Sequence, residues 1–206
     1  MFITTCKQNL NLATIRAGKA FQELQGKICY ISTKNDGASF KASYKDGAFQ
    51  IFSRRLELVN DGSNTWSFAA QKYDLENKLK SLGRNLCLCG ELCGPKLNGN
   101  KMGLKEVELY IYDIWDINNQ KYFDYVEMAT LIKELDVPYV GLWKFPLDIF
   151  TYSVESLQNE IGNCKYLNGE WIEGVVIRPI EETYSPALKG RLSLKLINTN
   201  FAAKHL

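Results

Sequence analysis

The chain has 206 residues, and 46% of them are hydrophobic, which is enough to bury one substantial core. Its formal net charge of +2 is small, so the overall charge neither favours nor excludes a nucleic-acid partner. No apolar run of about 18 residues or more occurs and the first residues do not have the layout of a secretory leader, which together predict a soluble, intracellular and cytoplasmic protein with no membrane partner.

The histidine and cysteine content narrows the available chemistry. The only histidine is His205, near the end of the chain, which argues against mechanisms that rely on an imidazole base. Cys87, Cys89 and Cys93 lack the Cys-x-x-Cys spacing of zinc sites and are expected to be buried, reduced thiols. A catalyst in this chain would therefore use lysine, carboxylate, tyrosine or cysteine side chains.

The first predicted element is a helix over 15–24, because apolar residues recur at helical spacing and Gly26 comes directly after it. Alternating residues and two turn signals then predict three strands, at 27–33, 38–44 and 48–53. Consecutive strands joined by short turns are typical of an antiparallel meander.

The pattern returns to helical spacing over 66–82, with Gly83 beyond its end. Composition predicts a loop over 94–100. The remaining predictions are strands at 85–92, 107–117, 174–178 and 192–197, and helices at 125–135 and 153–161. Helices interspersed with antiparallel hairpins indicate the α+β class.

The string Lys34-Asn35-Asp36-Gly37 falls between the first two predicted strands. Taken alone it predicts a hairpin turn, in which glycine supplies a positive φ and aspartate caps the turn. A similar string, Lys45-Asp46-Gly47, occurs eleven positions later and shows how readily such a sequence arises. Any functional interpretation of Lys34 therefore depends on the motifs that come after it along the chain.

Five further strings occur in order: Phe52–Leu58, Gly90–Pro95, Leu109–Ile114, Glu173–Pro179 and Ser193–Asn198. Their types, order and strand contexts resemble the collinear motifs of the covalent nucleotidyltransferases, which comprise DNA ligases, RNA ligases and mRNA capping enzymes. Within that superfamily the chain most resembles the RNA ligases of the Deinococcus and Naegleria type. The resemblance runs from about Gly26 to near the C-terminus.

The resemblance implies a nucleotidyltransferase fold, ATP-grasp-like, in which antiparallel sheets are flanked by helices. One RNA ligase adenylyltransferase domain is then expected over 1–206, with 1–26 as a lead-in helix. No OB-like domain is evident in the sequence, although the resembled ligases carry one, so a separate OB-like domain is a candidate partner.

The resemblance also gives roles to individual residues. Lys34 matches the nucleophile that attacks the α-phosphate of ATP and becomes covalently attached to AMP. Arg54 and Lys195 would supply positive charge to the phosphates or the acceptor strand. Glu91 would hold the ribose hydroxyls, and Tyr112 would stack on the purine, with Tyr110 as the fallback.

A hard cation, Mg²⁺ or Mn²⁺, is the expected metal cofactor. Glu173 would orient its bound waters, with Asp36 as a second contributor. RNA, or a nicked duplex that contains RNA, is the implied partner, and sealing of 3′-hydroxyl and 5′-phosphate ends in RNA repair is the implied function. Arg178 matches no assigned role and is expected at the surface.

Two departures keep alternatives open. Ser193 stands where many superfamily members have the first lysine of a Lys-x-Lys motif, and the chain begins only about 33 residues before Lys34. A DNA ligase or a capping-type guanylyltransferase would use the same lysine. A third hypothesis is a module that binds nucleotides or nucleic acid without turnover, since a fold does not guarantee a function.

Overall fold

The computed structural model of the protein describes residues 13–14, 18–149 and 152–205. The backbone forms two compact units. The described residues from 36 to 139 form the first, named here the six-stranded unit; the remaining described residues form the second, the five-stranded unit. Both combine antiparallel strands with helices, which confirms the predicted α+β class.

The elements are in mixed order along the chain. The strands are β1 (Ala13–Thr14), β2 (Ile28–Lys34), β3 (Ala38–Lys45), β4 (Ala48–Phe52), β5 (Glu57–Leu58), β6 (Leu86–Cys93), β7 (Glu108–Asp116), β8 (Lys121–Tyr122), β9 (Leu142–Asp148), β10 (Gly174–Pro179), β11 (Tyr184–Ser185), β12 (Gly190–Arg191) and β13 (Leu194–Ile197). The helices are α1 (Gly18–Gln22), α2 (Thr65–Lys72), α3 (Leu75–Ser81), α4 (Tyr125–Glu134), α5 (Val154–Gly162) and α6 (Thr199–His205).

The five-stranded unit is built on a sheet of order β1-β13-β10-β2-β9, in which β10 pairs antiparallel with both β2 and β13. Ile31, Val175 and Leu194 lie on one face, fully buried in the apolar core of this unit. Because side chains alternate along a strand, Lys34 and Lys195 lie on the opposite face. The sheet therefore separates an apolar face from a face that carries the polar site residues.

The six-stranded unit has the sheet order β5-β4-β3-β6-β7-β8, and α2, α3 and α4 contact β4, β3 and β7 respectively. Phe40, Leu88 and Ile111 on one face are completely buried. The opposite face carries Lys41 and Glu91, together with cysteines. This sheet likewise has an apolar face and a face that carries polar candidate residues, named here the polar face.

Helix ends reflect local sequence signals. Asn64 caps α2, because its side chain accepts from the backbone N–H of Ser67 while the Ser67 side chain bonds back to Asn64. Asp74 adopts a left-handed φ of +51°, so the helix predicted over 66–82 is two helices, α2 and α3. The apolar residues keep their helical spacing across Asp74, so the sequence pattern did not reveal the break between α2 and α3.

The predicted antiparallel meander is confirmed for β3 and β4, which pair antiparallel, and is wrong for β2. β2 pairs with β9 and β10 and belongs to the five-stranded sheet, whereas β3 pairs with β4 and β6 in the other sheet. Short spacing suggested neighbouring strands, but β9 and β10, about 110 to 150 positions later, provide the partners of β2.

Most remaining predictions are confirmed within a few residues, including β3, β6, β7, α4 and the loop over 94–100. The first helix is shorter, at Gly18–Gln22, and residues 15–17 lie outside the described part. β9 and α6 were not predicted. No helix among the described residues has the length and apolar character needed to cross a membrane.

Candidate functional site

Lys34 and Glu173 form an ion pair at the edge of adjacent strands. Lys34 ends β2 and lies opposite Gly174, the first residue of β10, so Glu173 directly precedes that position. The Nζ of Lys34 lies 2.7 Å from Oε2 of Glu173, and the side chains are 24% and 15% exposed. The structure thus brings together the predicted nucleophile and the predicted metal-orienting carboxylate, which are 139 residues apart in sequence.

Backbone contacts hold this pair in place. The N–H of Asn198 donates to the carbonyl oxygen of Glu173 at 2.9 Å. The hydroxyl of Tyr166 lies 3.5 Å from both the carbonyl oxygen of Lys34 and the backbone nitrogen of Glu173. Sequence reasoning did not identify Tyr166, because its position depends on a turn that brings residue 166 back to the sheet.

Lys195 lies on the same sheet face as Lys34. It pairs with Val176, which is two residues beyond Gly174 on the intervening strand β10. The row that contains Lys195 is therefore two residues along the strands, about 7 Å, from the row that contains Lys34. The Lys195 side chain is half-buried. The five-stranded unit collects Lys34, Glu173 and Lys195 on one surface.

Arg178 is not at the surface, contrary to the sequence-based expectation. It is only 6% exposed, and its Nε donates to Oγ of Ser193 at 2.9 Å. Its NH1 also lies 3.4 Å from the hydroxyl of Tyr30. Ser193 therefore accepts a hydrogen bond from a buried guanidinium.

Gly37 is required for a reason other than the predicted turn. Its φ is not positive, but a Cβ built on it would lie 2.2 Å from the carbonyl oxygen of Leu92. Only glycine lets the start of β3 approach β6 this closely. The Asp36 carboxylate beside it accepts from Nδ2 of Asn98 at 3.1 Å, a loop contact that the sequence did not indicate.

The second string, Lys45-Asp46-Gly47, is an ordinary hairpin turn between β3 and β4. Asp46 and Gly47 have φ of +50° and +86°, as this turn type requires. Among the described residues, the ionic partner of Lys45 is the exposed Asp46, at 3.8 Å. Two similar strings thus have different structural environments.

Glu91, Tyr110 and Tyr112 lie on the polar face of the six-stranded sheet. Glu91 pairs directly with Tyr110, and a bulge between Cys89 and Gly90 places Tyr112 as the extra residue of β7. Tyr112 packs against the cluster that includes Cys89, so it shares this face with Glu91. Burial, with smaller contributions from Cys93 and Glu108, raises the pKa of Tyr110.

Arg54 is exposed in the loop between β4 and β5. The two units thus carry different members of the predicted set. Asp36, Arg54, Glu91 and Tyr112 belong to the six-stranded unit, and Lys34, Glu173 and Lys195 belong to the five-stranded unit.

The RNA ligase family model matches residues 27–197, which includes every predicted site residue. The chain belongs to the RNA ligase family. A search of the curated proteins found no match.

Solved structures agree with this membership. The chain is 25% identical to a Naegleria gruberi RNA ligase solved with PPi, with a TM-score of 0.85 over 100% of this chain and 59% of that one. It is 27% identical, with a TM-score of 0.79, to mutants of that ligase solved with ATP and Mn and with AMP and Mn; each match covers 90% of this chain. Those matches cover 53% and 54% of the mutant chains, so this RNA ligase family member spans somewhat more than half of the relatives' length.

Proposed function

We propose that this chain is the adenylyltransferase portion of an ATP-dependent RNA ligase and that Lys34 is its nucleophile. The observation that carries the proposal is the 2.7 Å contact between Lys34 Nζ and Glu173 Oε2. The carboxylate of Glu173 holds the half-buried Lys34 at the sheet edge, which orients its amine for attack. The same carboxylate interacts with the proton that the ammonium must lose. Residues 1–206 then form a single adenylyltransferase domain composed of the two units.

The proposed reaction has three steps. The ammonium of Lys34 loses a proton to solvent, and its neutral Nζ attacks the α-phosphorus of ATP. An N–P bond forms as the bond to pyrophosphate breaks, and the nitrogen then releases a second proton to solvent. An oxygen of an RNA 5′-phosphate then displaces the lysine, which regains a proton, and takes the AMP. Finally a 3′-hydroxyl attacks that 5′-phosphate, releases AMP and seals the strand.

The remaining site residues would stabilise the nucleotide. Lys195 and Arg54 would offset charge that develops on the phosphates. Glu91 would accept hydrogen bonds from the ribose hydroxyls, and the half-buried Tyr112 would stack on the adenine. Tyr110, directly opposite Glu91, is the second candidate for stacking.

A divalent cation fits this chemistry. Among the described residues no group of three or more histidine, cysteine or carboxylate side chains forms a ready-made metal cluster. Mg²⁺ suits such a site, since it retains several waters and is commonly held by one or two carboxylates with substrate phosphates. Glu173 would hold its waters, Asp36 would contribute as the resemblance implies, and the ion would neutralise charge on the triphosphate.

Labelling with α-³²P ATP and Mg²⁺ tests the proposal. We expect label to remain on the denatured wild-type protein and to be lost in Lys34→Ala. Lys45→Ala is the matched control, because it removes the lysine of the similar string in the hairpin turn and should label normally.

Label that persists in Lys34→Ala, or no label on the wild-type protein, would contradict the assignment. Labelling with GTP in place of ATP would indicate capping-type chemistry. Nicked duplexes with RNA or DNA at the 3′ side then test sealing, with and without a separately supplied OB-like domain; sealing of DNA alone would indicate a DNA ligase.

A further inference from the structure

Lys41 is a buried lysine at the centre of β3. Only 7% of the residue is exposed, and its ammonium makes no hydrogen bond or ion pair within the described part of the chain. Its neighbours across the sheet are Phe52 on β4 and Cys89 on β6, and Cys89 pairs in turn with the buried Asp113 on β7. The stem of a lysine packs against such neighbours while its ammonium stays at the surface of the face, where it can donate to a bound ligand.

The position of Lys41 defines where that ligand would lie. Ser39, two residues earlier, pairs with Glu91, while Lys41 pairs with Cys89. Paired residues share a sheet face and alternate residues return to it, so Lys41 and Glu91 face the same side about one step, roughly 7 Å, apart along the strands. Tyr112 packs against the cluster that contains Cys89.

The nucleoside offers acceptors in this direction. With the ribose at Glu91 and the purine on Tyr112, the base lies towards Cys89, the cross-strand neighbour of Lys41. A lysine ammonium has three donors and no acceptor, and the adenine ring nitrogens N1, N3 and N7 are acceptors. All of these residues belong to the six-stranded unit.

We infer that Lys41 donates a hydrogen bond to a ring nitrogen of the purine base of the donor nucleotide. The inference rests on the proposed placement of the nucleoside at Glu91 and Tyr112. It adds a base-reading residue to the site.

The experiment measures equilibrium binding of ATP and of its 1-deaza, 3-deaza and 7-deaza analogues by calorimetry. A Lys34→Ala background prevents turnover, so binding is read independently of adduct formation. We expect Lys41→Met to weaken ATP binding about 10- to 100-fold, the range of a hydrogen bond from a charged donor. One deaza analogue should bind the Lys34→Ala protein more weakly by a similar factor, with no further loss when Lys41→Met is added.

The controls separate binding from folding. Lys45→Met removes a lysine from the same strand and should leave ATP binding unchanged, because its ionic partner within the described part of the chain is the exposed Asp46. Lys41→Met should unfold at a similar urea concentration, since methionine retains the covered stem beside Phe52 and Cys89.

The possible results are distinguishable. Equal ATP affinity with and without Lys41→Met would overturn the role of Lys41 and leave the proposed function intact. The same conclusion would follow if, for all three deaza analogues, the affinity lost through the analogue added to the affinity lost through Lys41→Met. No ATP binding by the Lys34→Ala protein or by the wild type would overturn both.

Discussion

Gly174 is the residue at which a single added methyl group should disturb the site most. It lies directly after Glu173, pairs with Lys34 on one side and Ile197 on the other, and has a φ of +156°. A Cβ at this position would lie 2.1 Å from the carbonyl oxygen of Leu196 and 3.0 Å from Cα of Ile197. The obstructing atoms are backbone, so no side-chain rotation relieves the overlap.

The expected cost of Gly174→Ala comes from this geometry. β13 must move from β10 by roughly 1 Å, which combines an overpacking cost with weakened hydrogen bonds between the strands and predicts about 2–4 kcal/mol of lost unfolding free energy. A displacement of that size beside Glu173 should also slow adduct formation at Lys34 roughly 100-fold.

Urea unfolding followed by tryptophan fluorescence and single-turnover labelling with ATP measure the two effects. Gly141→Ala is the matched control, because the nearest atom to its added Cβ, Oγ1 of Thr33, lies at an ordinary contact distance of 3.6 Å. We expect that control to unfold within about 0.5 kcal/mol of the wild type. A Gly174→Ala protein with wild-type stability and labelling rate would refute the reasoning.

Two further predictions concern titratable groups. Burial acts to raise the pKa of Glu108, but hydrogen bonds from Tyr73 and Lys72 hold it below its ordinary value of 4.5. The stability that these contacts contribute is therefore present above pH 4.5, and it is lost as the pH falls through the lower pKa of Glu108 in the folded state. Lys72→Met should therefore cost about 1 kcal/mol at pH 7 and show a smaller acid loss in urea titrations; an unchanged acid profile would contradict this. Burial raises the pKa of Cys29 to about 11, whereas Cys164 is half-buried. At pH 8 the number of protein thiols that react rapidly with a disulfide reagent should therefore fall by one in Cys164→Ser and stay unchanged in Cys29→Ser. Fast loss of the Cys29 thiol in the native protein would show that the core of the five-stranded unit opens readily.

The strands and helices were largely predictable because their signals are local. Alternation and turn signals identified β3, a high density of strand-forming residues identified β6, and helical spacing identified α4. The break at Asp74 was missed because a left-handed residue interrupts a helix without altering its apolar period. β9 was missed because its sequence, Leu142 to Asp148, contains a proline and lacks regular alternation.

The candidate site was predictable only as a set of residues along the chain. The order of motifs after Lys34 identified Glu91, Tyr112, Glu173 and Lys195 through their resemblance to RNA ligases. Lys41 carries no such signal, since a lysine in an alternating strand is normally solvated. Its burial emerges only when β4 and β6 flank β3.

Alternation along each strand was readable from the residues alone, because a period of two is a property of the extended backbone. Ile31 and Lys34 were therefore bound to lie on opposite faces of β2. The environments of Lys34 and Lys45 could not be told apart in this way, since both precede a similar Asp-Gly string. The folded chain separates them: Lys34 pairs across the sheet with Gly174 and contacts Glu173, 139 positions away, whereas Lys45 closes a local hairpin. Long-range strand pairing is determined by burial of the whole sheet, which no short window of sequence contains.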